Sequence, residues 1–157
     1  MQFTLSAILA SFVAVATAAT VPVARATCAE ADRFGDITIE PSTLSPGDTF
    51  TVTADFTCAI QLGVNPEYTD YYIEVPVNNN SYEPPILIAR RTLTTPPTDS
   101  FTATLPYANY FANASYALVL DTTYAVNGTN GSPYSQVGGT EAAVTITNSA
   151  SAAFQSG

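Results

Sequence analysis

The sequence predicts an all-β fold, a two-layer antiparallel sandwich of about seven short strands. Three observations carry this expectation. Phe50, Val52, Ala54 and Phe56 alternate strictly with Thr49, Thr51, Thr53 and Asp55, the pattern of a strand with one buried and one wet face. A one-residue slip would bury the threonines and expose the phenylalanines, so the register is strongly specified. Six further runs of β-type residues are separated by Gly, Pro, Asn and Ser, and no segment beyond the N-terminal apolar run reads as a helix.

Residues 3–15 are apolar and uncharged, and Ala16-Thr17-Ala18 fits the small-x-small rule for signal cleavage. The run is shorter than the ~20 residues of a membrane span. Residues 1–19 are therefore expected to be a secretory signal peptide, with a second small-x-small site at Ala24-Arg25-Ala26. Residues 20–35 have no clear period and form a lead-in to a single domain over 36–148.

In that domain Ile37 and Ile39 alternate with Thr38 and Glu40 in a strand over 36–40. Ser45-Pro46-Gly47-Asp48 is a turn: Pro presets φ, Gly supplies positive φ, and Asp bonds local backbone. The strand over 49–56 follows, and then a loop over 61–67 broken by Gly63 and Asn65-Pro66. Residues 68–75 are rich in Tyr, Ile and Val and read as the third strand. Asn78-Asn79-Asn80 is a turn, Pro84-Pro85 blocks regular pairing, and 86–91 is an edge strand. In the strand over 100–105, Phe101, Ala103 and Leu105 point inward while Thr102 and Thr104 point outward. The run over 115–121 is apolar on both faces and belongs in mid-sheet. Residues 125–139, rich in Gly, Asn and Ser, read as a long loop, 142–147 as the last strand, and 149–157 as a polar tail without the apolar segment of a GPI signal.

The chain carries 13 acidic residues against 4 arginines, a net charge of −9, and it has no histidine. Such a chain lacks the basic patch that nucleic acid or an anionic membrane requires. In an oxidising compartment its two cysteines, Cys28 and Cys58, are expected to form one disulfide, stabilising by roughly 3–4 kcal/mol in the chain-entropy picture. Asn79, Asn113, Asn127 and Asn130 each open an Asn-X-Ser/Thr sequon within a predicted loop, where N-glycans attach.

Leu105-Pro106 followed by Tyr116-Ala-Leu-Val-Leu120 resembles the E–F region of fibronectin type III domains. That likeness makes Tyr116 a candidate tyrosine corner, its hydroxyl bonded to upstream backbone. The stretch 37–52, a strand, a Pro, a Ser-Pro-Gly turn and a Thr-alternating strand, resembles the opening of an Ig-like module in small secreted fungal proteins. It is similar to the N-terminal domain of yeast cell-wall β-1,6-glucan synthesis proteins and of the Ser/Thr-rich GPI-anchored family. The likeness implies an Ig-like sandwich at the cell wall and supplies no catalytic residues. This chain lacks the tryptophan often found after the second strand, the Ser/Thr-rich stalk and the GPI signal.

The absence of histidine removes Ser-His-Asp and Cys-His catalysis and His-ligated metals. A bridged cysteine pair removes thiol catalysis, and there is no phosphate loop, nucleophile elbow or lysine nucleophile. Carboxylates remain. Asp70 and Glu74 share a strand face with Tyr72, with Glu67 and Glu83 near in sequence, though no spacing matches a calcium loop. Tyrosine joins a flat apolar face to a polar tip, which suits sugar rings or a protein partner. Tyr72, Tyr82, Tyr107 and Tyr110 are expected to be the exposed ones and so the ligand contacts. The expectation is a secreted, glycosylated, non-catalytic module with no cofactor or metal, binding cell-wall polysaccharide or an extracellular protein. The alternatives are a carboxylate-dependent glycoside hydrolase acting on wall glycan, and a sandwich carrying lipid between its sheets.

Overall fold

Strand β3 (Thr49–Asp55) is the centre of a three-stranded antiparallel sheet, with β1 (Asp36–Glu40) on one side and β6 (Thr98–Thr104) on the other. The computed structural model describes residues 27–78, 83–93 and 97–147. A four-stranded antiparallel sheet packs against the first, in the order β5 (Ile86–Arg91), β4 (Pro66–Glu74), β7 (Ala117–Asn127), β8 (Pro133–Ala143). A short parallel pair, β2 (Thr43–Leu44) with β9 (Thr145–Ile146), completes the strands among the described residues. The fold is the all-β sandwich that the alternation predicts, with seven strands in its two main sheets. The mid-sheet place of β7 and the edge place of β5 are as expected.

The core lies between the two sheets. Ile37 and Ile39 of β1 and Phe50, Val52 and Ala54 of β3 are buried, and Phe56 follows them inward. Tyr71, Ile73, Leu118 and Leu120 meet them from the other sheet, all fully buried. Each large side chain removed from water contributes roughly 1.5–3 kcal/mol, which is why the period-two pattern decides the fold.

One flank is clasped by polar chemistry. Arg91 of β5 donates two hydrogen bonds to Asp99 of β6, at 2.6 and 2.8 Å, so the pair spans both sheets. The Tyr71 hydroxyl donates to the same carboxylate at 3.0 Å, and its ring meets Phe101 edge-on. The Arg91 guanidinium lies 4.7 Å from the Phe101 ring centre. Burial, then the Asp99 charge, holds the Tyr71 hydroxyl well above its usual titration range.

At the β6–β7 crossing the Tyr116 hydroxyl accepts the Phe111 amide at 3.0 Å and donates to Glu83 at 2.6 Å. This is the tyrosine corner expected from the Leu-Pro…Tyr spacing. Burial first, then the Glu83 hydrogen bond, pushes the Tyr116 hydroxyl up to about 12. Cys28 and Cys58 are bridged, with Cα atoms 5.2 Å apart, as the even cysteine count implied.

Three elements differ from expectation. A short helix, α1 (Thr57–Gln61), follows β3 where a direct run into loop was expected. Five residues are too few to show a helical period. The Asp55 carboxylate accepts the Thr57 amide at 2.8 Å, Ala59 is buried, and the disulfide holds Cys58. The predicted loop over 125–139 is instead the β7–β8 hairpin, whose eleven residue pairs run from Ala117↔Ala143 to Asn127↔Pro133. The hairpin closes through Gly128 N–H to Ser132 O and Ser132 N–H to the Asn130 side chain, with Gly131 at φ 82°. Asn130-Gly131 is a hairpin signal, and the surrounding Gly and Ser masked it. Gly138 also has a packing reason, because Phe34 lies where its Cβ would stand. The last predicted strand, 142–147, is split: β8 ends at Ala143, Val144 is buried, and β9 crosses to β2.

Candidate functional site

Strand β4 turns Thr69, Tyr71 and Ile73 into the core, which aims Tyr68, Asp70, Tyr72 and Glu74 outward. Its register against β7 sets Asp70 beside Asp121, Tyr72 beside Val119 and Glu74 beside Ala117. The β7–β8 register then adds Val137, Gly139, Glu141 and Ala143 to the same face. From β5, Arg90 stands beside Asp70 and Leu87 beside Tyr72, across a bulge at Tyr71/Tyr72. Tyr68, Leu87 and Val137 are 51, 50 and 62% exposed on this face, while Tyr72 is half-buried.

The carboxylates here are electrostatically unequal. Arg90 donates to both Asp70 oxygens, at 2.6 and 2.7 Å, and this pairing holds Asp70 below the usual carboxylate range. Asp121 is raised, first by burial and then by the charge of Asp70 next to it. Glu74 is raised by burial and by the charges of Asp121 and Glu141. Burial and the charges of Asp70 and Asp121 also raise the Tyr72 hydroxyl. A Cβ on Gly139 would come within 2.9 Å of an Asp121 oxygen, so the glycine leaves room for that carboxylate. A depression of 210 Å³ lies at one end of the face, lined by Pro76, Val77, Ser115, Tyr116, Ala117, Glu141 and Ala143. Among the described residues no group of three metal-ligating side chains comes together.

The structure does not gather the predicted tyrosines. Tyr72 is on the face just described, half-buried. Tyr107 is 88% exposed but belongs to the β6–β7 connection, where its ring and hydroxyl lie over Gly47 of the β2–β3 turn. Tyr110 is not exposed: only 6% of it meets solvent. Its ring packs edge-on against Tyr116 at 5.5 Å, and its hydroxyl donates to Pro106 O. Burial, then the Glu83 charge, pushes the Tyr110 hydroxyl up to about 12. Its place beside turn residues suggests a wet ring, but the neighbouring tyrosine corner gives it a packing partner instead. Tyr82 lies outside the described residues, as do the sequon at Asn79, the predicted signal peptide and the tail over 149–157.

Asp70, Tyr72 and Glu74 do share a face, as their period-two spacing implied. What that spacing could not supply was Leu87 and Val137, which reach the face only through the β5 and β8 registers. Tyr68, two residues before Asp70, carried the same signal. The sequons at Asn113, Asn127 and Asn130 are all exposed, at a turn, at the end of β7 and at the hairpin tip.

No family model matches this chain, and no curated protein matches it. Among solved structures it is similar to superoxide reductase (neelaredoxin) from Ignicoccus hospitalis. The TM-score is 0.39 and the identity 11%, over 72% of this chain and 82% of that one. A substituted form of the same enzyme gives a TM-score of 0.39 at 12% identity, over 73 and 82% of the two chains. A likeness at this level carries no argument about activity.

Proposed function

We propose that the chain is a secreted, glycosylated, non-catalytic binding module, and that it contacts an extracellular polysaccharide or protein through the outer face of the four-stranded sheet. The observation that carries this reading is the joint exposure of Tyr68, Leu87 and Val137 on a face that also holds Tyr72. Exposed rings and aliphatic groups among polar neighbours are the composition of a recognition surface. The chain has no histidine, and its two thiols are bridged, which leaves carboxylates as the available catalytic groups. Phe50, Phe56, Tyr71 and Leu118 fill the space between the sheets, where a lipid carrier keeps its cargo. Exposure of Asn113, Asn127 and Asn130 suits N-glycans.

The test is retention on cell-wall fractions and a glycan array, using the secreted protein and a Tyr68→Ser/Tyr72→Ser variant that keeps its circular dichroism. Binding should fall at least tenfold, roughly the loss of two aromatic contacts. Undiminished binding would place the site elsewhere.

The raised carboxyls favour a second reading, a glycan hydrolase. Glycoside hydrolysis needs one carboxyl held protonated near the working pH and another ionised. Glu74 and Asp121 are raised, and Asp70 is lowered. They stand on an open sheet face, however, and Asp70 is engaged by Arg90. Release of reducing sugar from wall glucan, abolished by Glu74→Gln, would establish the hydrolase in place of the binding module.

A further inference from the structure

We propose that β8 is a self-association edge, and that two copies of this chain pair β8 against β8 to join their four-stranded sheets into one sheet of eight strands. The four edges of the two main sheets are not alike. An open strand edge is a template for further pairing, and proteins blunt such edges with short length, proline, charge or bulges.

Three edges are blunted. Strand β5 has six residues, follows Pro84-Pro85, carries Arg90 and Arg91, and is bulged against β4. Strand β1 has five residues, an acid at each end, and Pro41 directly after it. Strand β6 lies between Pro97 and Pro106 and spends Asp99 on the clasp to Arg91. The fourth edge, β8, is neither short nor bulged, and its one charge is Glu141 near its end. It is eleven residues long, pairs with β7 without a register shift, and has its single proline at the first position. Among the described residues no strand pairs with its other side.

The composition of β8 suits a copy of itself. Opposed residues in an antiparallel pair share a sheet face, so a two-fold axis must set residues of equal parity opposite each other. With Gly139 facing its own copy, Thr140 stands opposite Gly138, Glu141 opposite Val137 and Ala143 opposite Ser135. Two adjacent glycines therefore lie at the axis and leave the approach open. Glu141 is the only charged residue of the strand. In this register it meets a valine, and the two glutamates are offset by four residues, about 13 Å along the strands. Val137, 62% exposed, gains a neighbour. The net charge of −9 on each copy opposes the pairing, so association strengthens with salt.

Sedimentation of the secreted protein over micromolar to millimolar concentration tests this, with Val137→Glu and Val137→Lys alongside. The expected result is a monomer–dimer equilibrium. Val137→Glu should weaken it roughly fivefold, by setting a second carboxylate opposite Glu141, and Val137→Lys should strengthen it by a similar factor. Val137 is solvent-facing, so both variants should keep the wild-type circular dichroism. A monomer throughout the range, or a dimer equally tight in all three forms, overturns the proposal.

Discussion

Thr38, Thr49, Thr51, Thr53, Thr98, Ser100, Thr102 and Thr104 stand in register across the outward face of the three-stranded sheet, all exposed. The outward face of the four-stranded sheet carries Tyr68, Tyr72, Leu87, Val119 and Val137 among Asp70, Glu74, Asp121 and Glu141. Both faces are solvent sides of strands whose other side is core. The first is what β-propensity and wetness alone require: β-branched, small and uncharged through its middle. The second departs from that minimum, with a buried aspartate tied to an arginine, two carboxyls raised by burial and then by neighbouring charge, and apolar groups left in water. That departure is why the second face is the one we propose as the contact surface.

The largest expected contrast sharpens the comparison within one strand. Phe50→Ala should destabilise by roughly 3–5 kcal/mol as a buried aromatic truncation, while Thr51→Ser on the wet side should stay within about 0.5 kcal/mol. Urea denaturation reads both, and equal losses would mean that the threonine face is structural.

The next contrast concerns the two arginine–aspartate pairs. Arg91–Asp99 joins the sheets and also receives Tyr71, whereas Arg90–Asp70 lies within the four-stranded sheet's outer face. Asp99→Asn should cost about 1–2 kcal/mol, a charge-assisted bond discounted because the Arg91 side chain is 37% exposed. Arg90, 66% exposed, should tolerate Arg90→Gln with a smaller loss than Asp99→Asn, because solvent screens its ion pair. Thermal melts that rank them the other way would show that the outer face carries more of the fold than its geometry implies.

A pH series separates the faces through linkage. Asp121 and Glu74 are raised above the ordinary aspartate and glutamate values of 3.8 and 4.5, so the native state holds their protons more tightly than the unfolded chain does. Stability should therefore rise as pH falls through their folded values, and the gain is complete below their unfolded values. Asp70 is lowered from 3.8, so its contribution is present above that value and is lost as pH falls through its folded one. The melting temperature should climb on acidification from neutrality, peak in the mildly acid range and then fall. Asp121→Asn should flatten the climb. A melting temperature that only declines from pH 7 downward would contradict these shifts.

The smallest expected effect is on the threonine face itself. Thr53→Ala should move stability by about 0.5 kcal/mol or less and leave retention on wall fractions unchanged.

Legibility from the sequence followed the range of the interaction. The burial of Phe50, Val52, Ala54 and Phe56 was readable because a single strand's alternation encodes it. Tyr116 was readable because its corner closes over five residues, with Phe111 as partner. The shared face of Asp70, Tyr72 and Glu74 was readable for the same local reason. Leu87, Val137 and Glu141 join that face only through pairings of β5 and β8, which no local pattern reports. Tyr110 was misplaced because its packing partner is another tyrosine across a turn. The β7–β8 hairpin was hidden because glycines that serve Phe34 and Asp121 read as loop when seen without them.

The bridge between Cys28 and Cys58 has a consequence for how the protein meets proteases. It spans 30 positions and encloses all of β1, β2 and β3. A single backbone cut anywhere inside that span leaves the two pieces covalently joined, with β1 and β3 still held side by side by the five residue pairs of their ladder. A nicked molecule would keep its mass, apart from one added water, until a reductant parted it. Cleavage of the turn at Ser45–Asp48 would thus be silent on a non-reducing gel and visible only on a reducing one.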